Sequence, residues 1–220
     1  MTPTTSAVIV NFNAGALLVE CVDALLASTD PVQAIVVDNA SADDSLALLE
    51  ERFGGDGRLT VLRNDENLGF ARATNRGLAG ARGEYFLLLN PDCIVSPATV
   101  AEVRAALEQH PEAGMAGCLV LNPDGTEQAG ARRAVPTPWR AFVRAFGLSA
   151  RLPHHQRLFD DFVLAGQPLP AGPTPVEAIS GAFMMVRRDA VAEIGPLDEG
   201  YFLHCEDLDW CMRFRQSGRA

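Results

Sequence analysis

The chain of 220 residues has no apolar run long enough to span a bilayer. Its N-terminus lacks a basic n-region followed by a long apolar stretch, so it shows no secretory signal. Basic residues are in short supply: 18 against 28 acidic ones, for a net charge of −10. That balance excludes a protein built to grip a nucleic-acid backbone. Cysteine is sparse and odd in number, at Cys21, Cys93, Cys118, Cys205 and Cys211, with no zinc-finger spacing. These read as reduced thiols of a cytosolic protein. Neither the dinucleotide glycine pattern nor a P-loop lysine is present. There is no internal repeat and no low-complexity tract. The remaining composition, 48% hydrophobic and 21% charged, suits one globular domain over residues 1–220.

What is there alternates. Apolar, β-branched runs at 7–10, 34–37, 59–62 and 85–89 read as strands. Helical spacing predicts helices at 16–28, 43–53 and 71–81 between them. This order is that of an α/β fold with a doubly wound, mostly parallel sheet and helices on both faces. The strand exits at Asn11, Asp38 and Asn90 then line one edge, where open α/β sheets bind ligands.

Beyond residue 96 the pattern loosens. A helix is expected at 97–110, capped by Ser96, then a strand at 113–121 and a turn at 122–125. Residues 131–175 are rich in Arg, Pro and Gly and read as a mobile segment, with a short amphipathic helix at 139–146. Arg132, Arg133, Arg140, Arg144, Arg151 and Arg157 make it locally basic, which raises contact with anionic lipid alongside a plain solvated loop. A strand at 178–186, interrupted by Ser180-Gly181, precedes a helix that starts at Asp189 and stops at Gly195-Pro196. A last helix covers 206–216.

Three groups carry chemistry. Asn90-Pro91-Asp92 ends the fourth strand, and Asn90 and Asp92 project together if strand geometry persists. Such an oxygen-only pair suits a hard cation, Mg²⁺ or Mn²⁺, holding phosphates. Taken alone, the triplet reads as a turn that ends a strand. Asp38 can accept hydrogen bonds from a ribose or base, or cap a helix. Gly69 lets backbone approach a ligand closely, with Arg72 and Asn75 on one helix face beyond it. In His204-Cys205-Glu206-Asp207-Leu208-Asp209-Trp210, three carboxylates crowd into four positions. Repulsion raises at least one pKa, which suits a general base; a helix first turn also welcomes acids.

Taken together these motifs resemble the family 2 glycosyltransferases with the GT-A fold, in particular a rhamnosyltransferase-like subgroup. The elements that carry the resemblance are Val8 to Asn13, Val36 to Ser41, Asn67 to Phe70, Leu89 to Asp92, Ser180 to Ala182 and Glu206-Asp207. It implies a Rossmann-like nucleotide-sugar half at 1–112 and a smaller acceptor and catalytic half at 113–220. Asn11, Asn13, Asp38, Asn39, Gly69, Arg72, Asn75, Asn90 and Asp92 would hold the donor. Asp92, with Asn90 in the first acidic position of the family's Asp-x-Asp motif, would hold Mg²⁺ or Mn²⁺. Ser180, Gly181, Ala182 and Trp210 would border donor sugar and acceptor. Asp207 would be the catalytic base, with Glu206 and His204 in support.

The implied activity is inverting hexosyl transfer from a dTDP- or UDP-linked sugar, for example rhamnose. The acceptor would be a saccharide or lipid-linked saccharide of cell-surface polysaccharide synthesis. Such an enzyme would work in the cytoplasm, or peripherally at the inner membrane face. Family members continue with a further strand and a metal-site histidine, so the chain reads as truncated at its C-terminus. The rival readings are a non-catalytic nucleotide- or partner-binding module and a nucleotidyltransferase. The second would need a basic, Gly-rich loop after the first strand, where Asn11-Phe12-Asn13-Ala14-Gly15 has none.

Overall fold

The computed structural model describes residues 4–135, 137–146, 163–164 and 168–219. Arg151 and Arg157, and part of the expected mobile segment, lie outside them. Four parallel strands come first: β1 (Thr5–Asn11), β2 (Val32–Asp38), β3 (Leu59–Arg63) and β4 (Tyr85–Leu89). The helices between them are α1 (Ala16–Leu26), α2 (Ser45–Phe53) and α3 (Phe70–Ala79). Beyond β4 come α4 (Thr99–Gln109), β5 (Met115–Ala116), β6 (Arg132–Arg133), α5 (Pro138–Ala145), β7 (Ala178–Ile179) and β8 (Phe183–Arg187). Two further helices, α6 (Arg188–Ile194) and α7 (Glu206–Gln216), follow.

The main sheet runs β3-β2-β1-β4-β8-β5, and β8 is antiparallel to both its neighbours. Strands β1, β2 and β4 are buried along their whole length, as their unbroken apolar runs require in a sheet covered on both faces. Their alternating side chains feed two cores. Ala7, Ile9, Val36 and Leu87 pack with Leu18, Leu25 and Leu107 of α1 and α4. Val8, Ile35 and Leu88 pack with Ala71, Ala190, Trp210 and Phe214 of α3, α6 and α7. Gly77 sets the spacing on that second face: a Cβ there would lie 2.4 Å from Val8 Cγ1.

Two expectations need correction. The strand predicted at 113–121 shrinks to Met115–Ala116, which pair with Val186 and Met185 of β8, while Leu121 makes only an isolated bridge to Glu127. After them Leu119 and Leu121 turn outward. Ser96 does not cap α4 through its side chain; its hydroxyl bonds the Thr99 hydroxyl at 2.7 Å, and the helix starts at Thr99. The interruption at Ser180-Gly181 has a clear result. It sends β7 to a separate two-stranded sheet with β6, while β8 enters the main sheet.

Candidate active site

The parallel strands end together. Asn11 of β1 and Asp38 of β2 are register partners. Asn11 is fully buried, and its Nδ2 lies 2.7 Å from Asp38 Oδ1, 2.8 Å from Ser45 Oγ and 3.0 Å from Ser41 Oγ. Asp38 Oδ2 accepts from the Ser41 N–H. Each carboxylate oxygen has a further lone pair to offer. Asn39 is also buried: it accepts from Asn64 Nδ2 at 2.6 Å and donates to the Gly69 carbonyl at 3.2 Å. Asn13 sits at φ +55°, and its Oδ1 accepts from the Ala42 N–H at 2.7 Å. The site reading of Asn11 and Asn39 is thereby corrected. Their amides are spent on protein groups, so they set the shape of the edge rather than reach into it.

Gly69 begins α3 at φ +81°. A Cβ there would stand 2.5 Å from the Phe202 carbonyl, which accepts from the Phe70 N–H at 2.8 Å. Residues 197–205 therefore cross directly over the start of α3. Asn75 pins that crossing by donating to the Leu197 carbonyl at 2.8 Å and accepting from its N–H at 3.1 Å. Arg72, largely exposed, approaches Glu199 at 3.7 Å. Sequence reasoning placed both residues toward the donor. The structure instead gives Asn75 a strut's task, holding the segment that leads into α7.

That segment ends in two successive residues of left-handed backbone, His204 (φ +68°) and Cys205 (φ +72°). Neither is glycine, and such strain gathers where a function requires a particular geometry. The bend aims α7 so that Glu206, Asp207 and Asp209 fall in its first turn, where the helix dipole favours carboxylates. His204 itself is exposed.

Asp207 is the centre of the arrangement. Its Oδ2 accepts the Gly181 N–H at 3.2 Å and pairs with the Arg133 guanidinium of β6, while Oδ1 accepts the Leu208 N–H at 2.8 Å. The Arg133 and Asp207 side chains are 19% and 14% exposed, so the pair is largely screened from water. Arg133 also donates to the Ile179 carbonyl at 2.8 Å, while its Nε finds no partner among the described residues. One residue beyond Gly181, the Ala182 carbonyl accepts the Asn90 N–H at 3.0 Å. A continuous path of hydrogen bonds thus joins Asp207 to Ser180-Gly181-Ala182 and on to Asn90-Pro91-Asp92. Asp92 is exposed on its turn. Burial and the nearby Asp92 push the adjacent Cys93 thiol up to about 11.

Glu206 and Trp210 point inward. Burial holds the Glu206 carboxyl above the usual carboxylate range, with the Asp207 charge a smaller cause in the same direction. Glu206 Oε2 has no partner among the described residues. A carboxyl whose folded pKa is raised retains its proton better folded than unfolded. Stability therefore falls as pH rises from the ordinary carboxyl range through the folded value. Glu206→Gln, uncharged throughout, is expected to flatten this fall; urea unfolding at a series of pH values measures it, and an unchanged slope would refute the assignment. Trp210 requires a correction. It is fully buried, its indole N–H donates to the Gly195 carbonyl at 3.0 Å, and its ring meets Phe214 edge-on. It cannot border an acceptor. Sequence reasoning missed Arg133 as a partner of Asp207, and no local pattern marks a contact across 74 residues.

Residues 6–195 match the family Glycosyl transferase family 2. The chain belongs to glycosyl transferase family 2. Over 205 residues it is 30% identical to the N-acetylglucosaminyl-diphospho-decaprenol L-rhamnosyltransferase of Mycobacterium tuberculosis, covering 88% of this chain and 64% of that one. It is 35% identical over 96 residues to glycosyltransferase GlyG of Streptococcus pneumoniae serotype 4, covering 43% of this chain and 32% of that protein. The family 2 chain thus spans less than two thirds of the length of these relatives. Among solved structures it is similar to mannosyltransferase PcManGT from Pyrobaculum calidifontis in complex with GDP-Man and Mn²⁺. That match has a TM-score of 0.68 and 17% identity, covering 99% of this chain and 53% of that one. It is also similar to GalNAc-T7 with UDP, GalNAc and Mn²⁺, with a TM-score of 0.71 and 20% identity, covering 99% of this chain and 41% of that one. These likenesses show that the fold is GT-A. The family match stops before α7, so the part played by Asp207 rests on geometry.

Proposed function

We propose that this chain is the catalytic unit of an inverting glycosyltransferase that moves a hexose, with rhamnose the leading candidate, from a dTDP- or UDP-linked donor. The acceptor is a hydroxyl of a saccharide or lipid-linked saccharide in cell-surface polysaccharide synthesis. The observation that supports this reading is the bonded path from Asp207 through Gly181 and Ala182 to Asn90, which links the Asp207 carboxylate to the turn that presents Asp92. The rhamnosyltransferase relative supports the sugar and the lipid-linked acceptor.

Asp207 takes the proton of the acceptor hydroxyl. The hydroxyl oxygen bonds to the anomeric carbon as the bond from that carbon to the diphosphate breaks, and the nucleoside diphosphate leaves with the electron pair. Asp38 offers its remaining lone pairs to the base or ribose, and Gly69 admits the donor close to backbone. Arg133 and the Gly181 N–H fix the rotamer of Asp207. The Asp92 carboxylate and the Asn90 amide are hard oxygen donors that fit Mg²⁺ or Mn²⁺. No group of three or more acidic, His or Cys side chains forms a cation cage among the described residues, so the remaining ligands would be phosphate oxygens and water. A cation so held supplies charge neutralisation to the departing diphosphate.

A thermal-shift series with UDP, dTDP and GDP, with and without Mn²⁺, tests the reading. Nucleotide is expected to stabilise the chain, with an added increment from Mn²⁺ that Asp92→Ala removes. Nucleotide stabilisation without sugar transfer in a mass-spectrometric donor screen would instead support a non-catalytic binding module.

A further inference from the structure

Three donors already face the Asp207 carboxylate. Oδ1 accepts the Leu208 N–H at 2.8 Å, while Oδ2 accepts the Gly181 N–H at 3.2 Å and pairs with the Arg133 guanidinium. The first two are backbone groups, one in α7 and one in the turn that leads into β8, so they belong to the frame of the fold. Arg133 does not. It rides on β6, a strand of two residues whose partner in a separate sheet is β7. Of the three donors, it is the one that can leave Asp207 without disturbing the main sheet.

The ion pair bears directly on proton transfer. Its two side chains are largely screened from water. A proton taken up by Asp207 with Arg133 in place would leave the guanidinium without its counter-charge in a poorly hydrated site, which is strongly unfavourable. Asp207 therefore works as a base only as Arg133 turns away. The Ile179 carbonyl, which accepts from Arg133 at 2.8 Å, can keep hold of the side chain as it turns. Unused hydrogen-bonding capacity stands beside the pair as well. Arg133 Nε and Glu206 Oε2 are both buried and have no partner among the described residues, and the Arg133 charge acts on the Glu206 carboxyl.

We propose that Arg133 is a safety catch on the base: it occupies Asp207 while no acceptor is bound and is displaced by the acceptor saccharide, so that water does not consume the donor. The proposal rests on the reading of Asp207 as the base. Water brings only its own hydrogen bonds, which do not offset the separation of a screened ion pair. A saccharide makes further contacts, and their binding free energy can drive the displacement. Once Arg133 has moved, the Leu208 and Gly181 N–H groups still hold the carboxylate in place. The step held back is hydrolysis. In it Asp207 takes a proton from water, the water oxygen bonds to the anomeric carbon, and the nucleoside diphosphate leaves with the electron pair of the broken bond. Arg133 touches Asp207 and not the reacting atoms, so its role is one of positioning.

The test needs no acceptor. The chain is incubated with dTDP-rhamnose, or with the sugar nucleotide that the donor screen yields, and release of nucleoside diphosphate is followed by phosphorus NMR. Arg133→Met is expected to hydrolyse the donor about tenfold or more faster than the unsubstituted chain, a part of the roughly 10²–10⁴-fold that a freed general base supplies. Arg133→Lys keeps the charge and should stay near the unsubstituted rate. Adding Asp207→Asn to Arg133→Met should bring hydrolysis back to the unsubstituted rate or below it. A purely structural role for Arg133 would not raise hydrolysis at all. Nucleotide-induced thermal stabilisation reports whether each variant folds. If Arg133→Met does not, Arg133→Gln, which can still donate to the Ile179 carbonyl, carries the same expectation. No rise in a folded neutral variant overturns the catch, and the effect of Asp207→Asn on transfer then decides the base reading separately. A rise that persists when Asp207→Asn is added overturns both.

Discussion

Asp207→Asn is expected to lower sugar transfer by roughly 10²–10⁴-fold, the usual worth of a general base, while nucleotide binding is retained. The reasoning starts from what an amide can still do. Asparagine keeps one acceptor oxygen, which can face Arg133 or the Gly181 N–H, so the loop at Ser180-Gly181-Ala182 retains a partner. Its nitrogen carries two protons and cannot take a third from an acceptor hydroxyl. The proposed donor contacts, at Asp38, Gly69 and Asp92, lie outside α7. Isothermal titration with the preferred nucleotide and a transfer assay on the same preparation separate the two effects. Arg133→Met is the companion measurement. It removes the guanidinium but leaves the carboxylate and its Gly181 bond, so it should cost transfer far less. Near-normal transfer by Asp207→Asn would sink the base assignment whatever Arg133→Met does.

How much of this was legible in the residues differs between fold and site. Strands β1, β2 and β4 could be read because each is a short apolar run that must be covered on both faces, with a polar residue at its exit. The start of α7 at Glu206 could be read because acids collect in a helix first turn. The gathering of Asn11, Asp38 and Asn90 on one edge then followed from the parallel topology alone. What a polar residue does at that edge was not readable. Position fixes where a side chain is, but not which partners it spends its hydrogen bonds on. Asn11 and Asn39 proved to be internal bonds of the edge, and Asn75 a strut for residues 197–199. Glu206 and Asp207 are neighbours in sequence, yet one is buried with no partner at Oε2 among the described residues and the other is paired with Arg133. That divergence comes from which side of α7 faces the core, and the left-handed bend at His204-Cys205 sets it. Strand β5 came out shorter than its sequence reading for a related reason: its pairing with β8 ends after Ala116, and apolar content cannot show that.

Trp210→Ala is expected to destabilise the fold by about 3–5 kcal/mol, as for other large aromatic side chains removed from a core. The ring is wholly buried among the residues of α3, α6 and β8 on the second face of the sheet, and it packs edge-on against Phe214 at 5.5 Å. At roughly 2–4 °C per kcal/mol for a chain of this size, the melting temperature should fall by about 6–20 °C. Trp210→Phe restores most of the apolar volume but leaves the Gly195 carbonyl without its indole donor, at a cost of roughly 1–3 kcal/mol. That bond ties α7 to the end of α6, and α7 carries Asp207 three residues earlier. Any loss of transfer should therefore appear in kcat and track the loss of stability. A direct acceptor contact predicts the opposite pattern, a raised acceptor KM in Trp210→Phe at an unchanged melting temperature. Differential scanning calorimetry and acceptor titrations on the two variants distinguish these outcomes, and the second pattern would mean that the indole leaves its buried position during turnover.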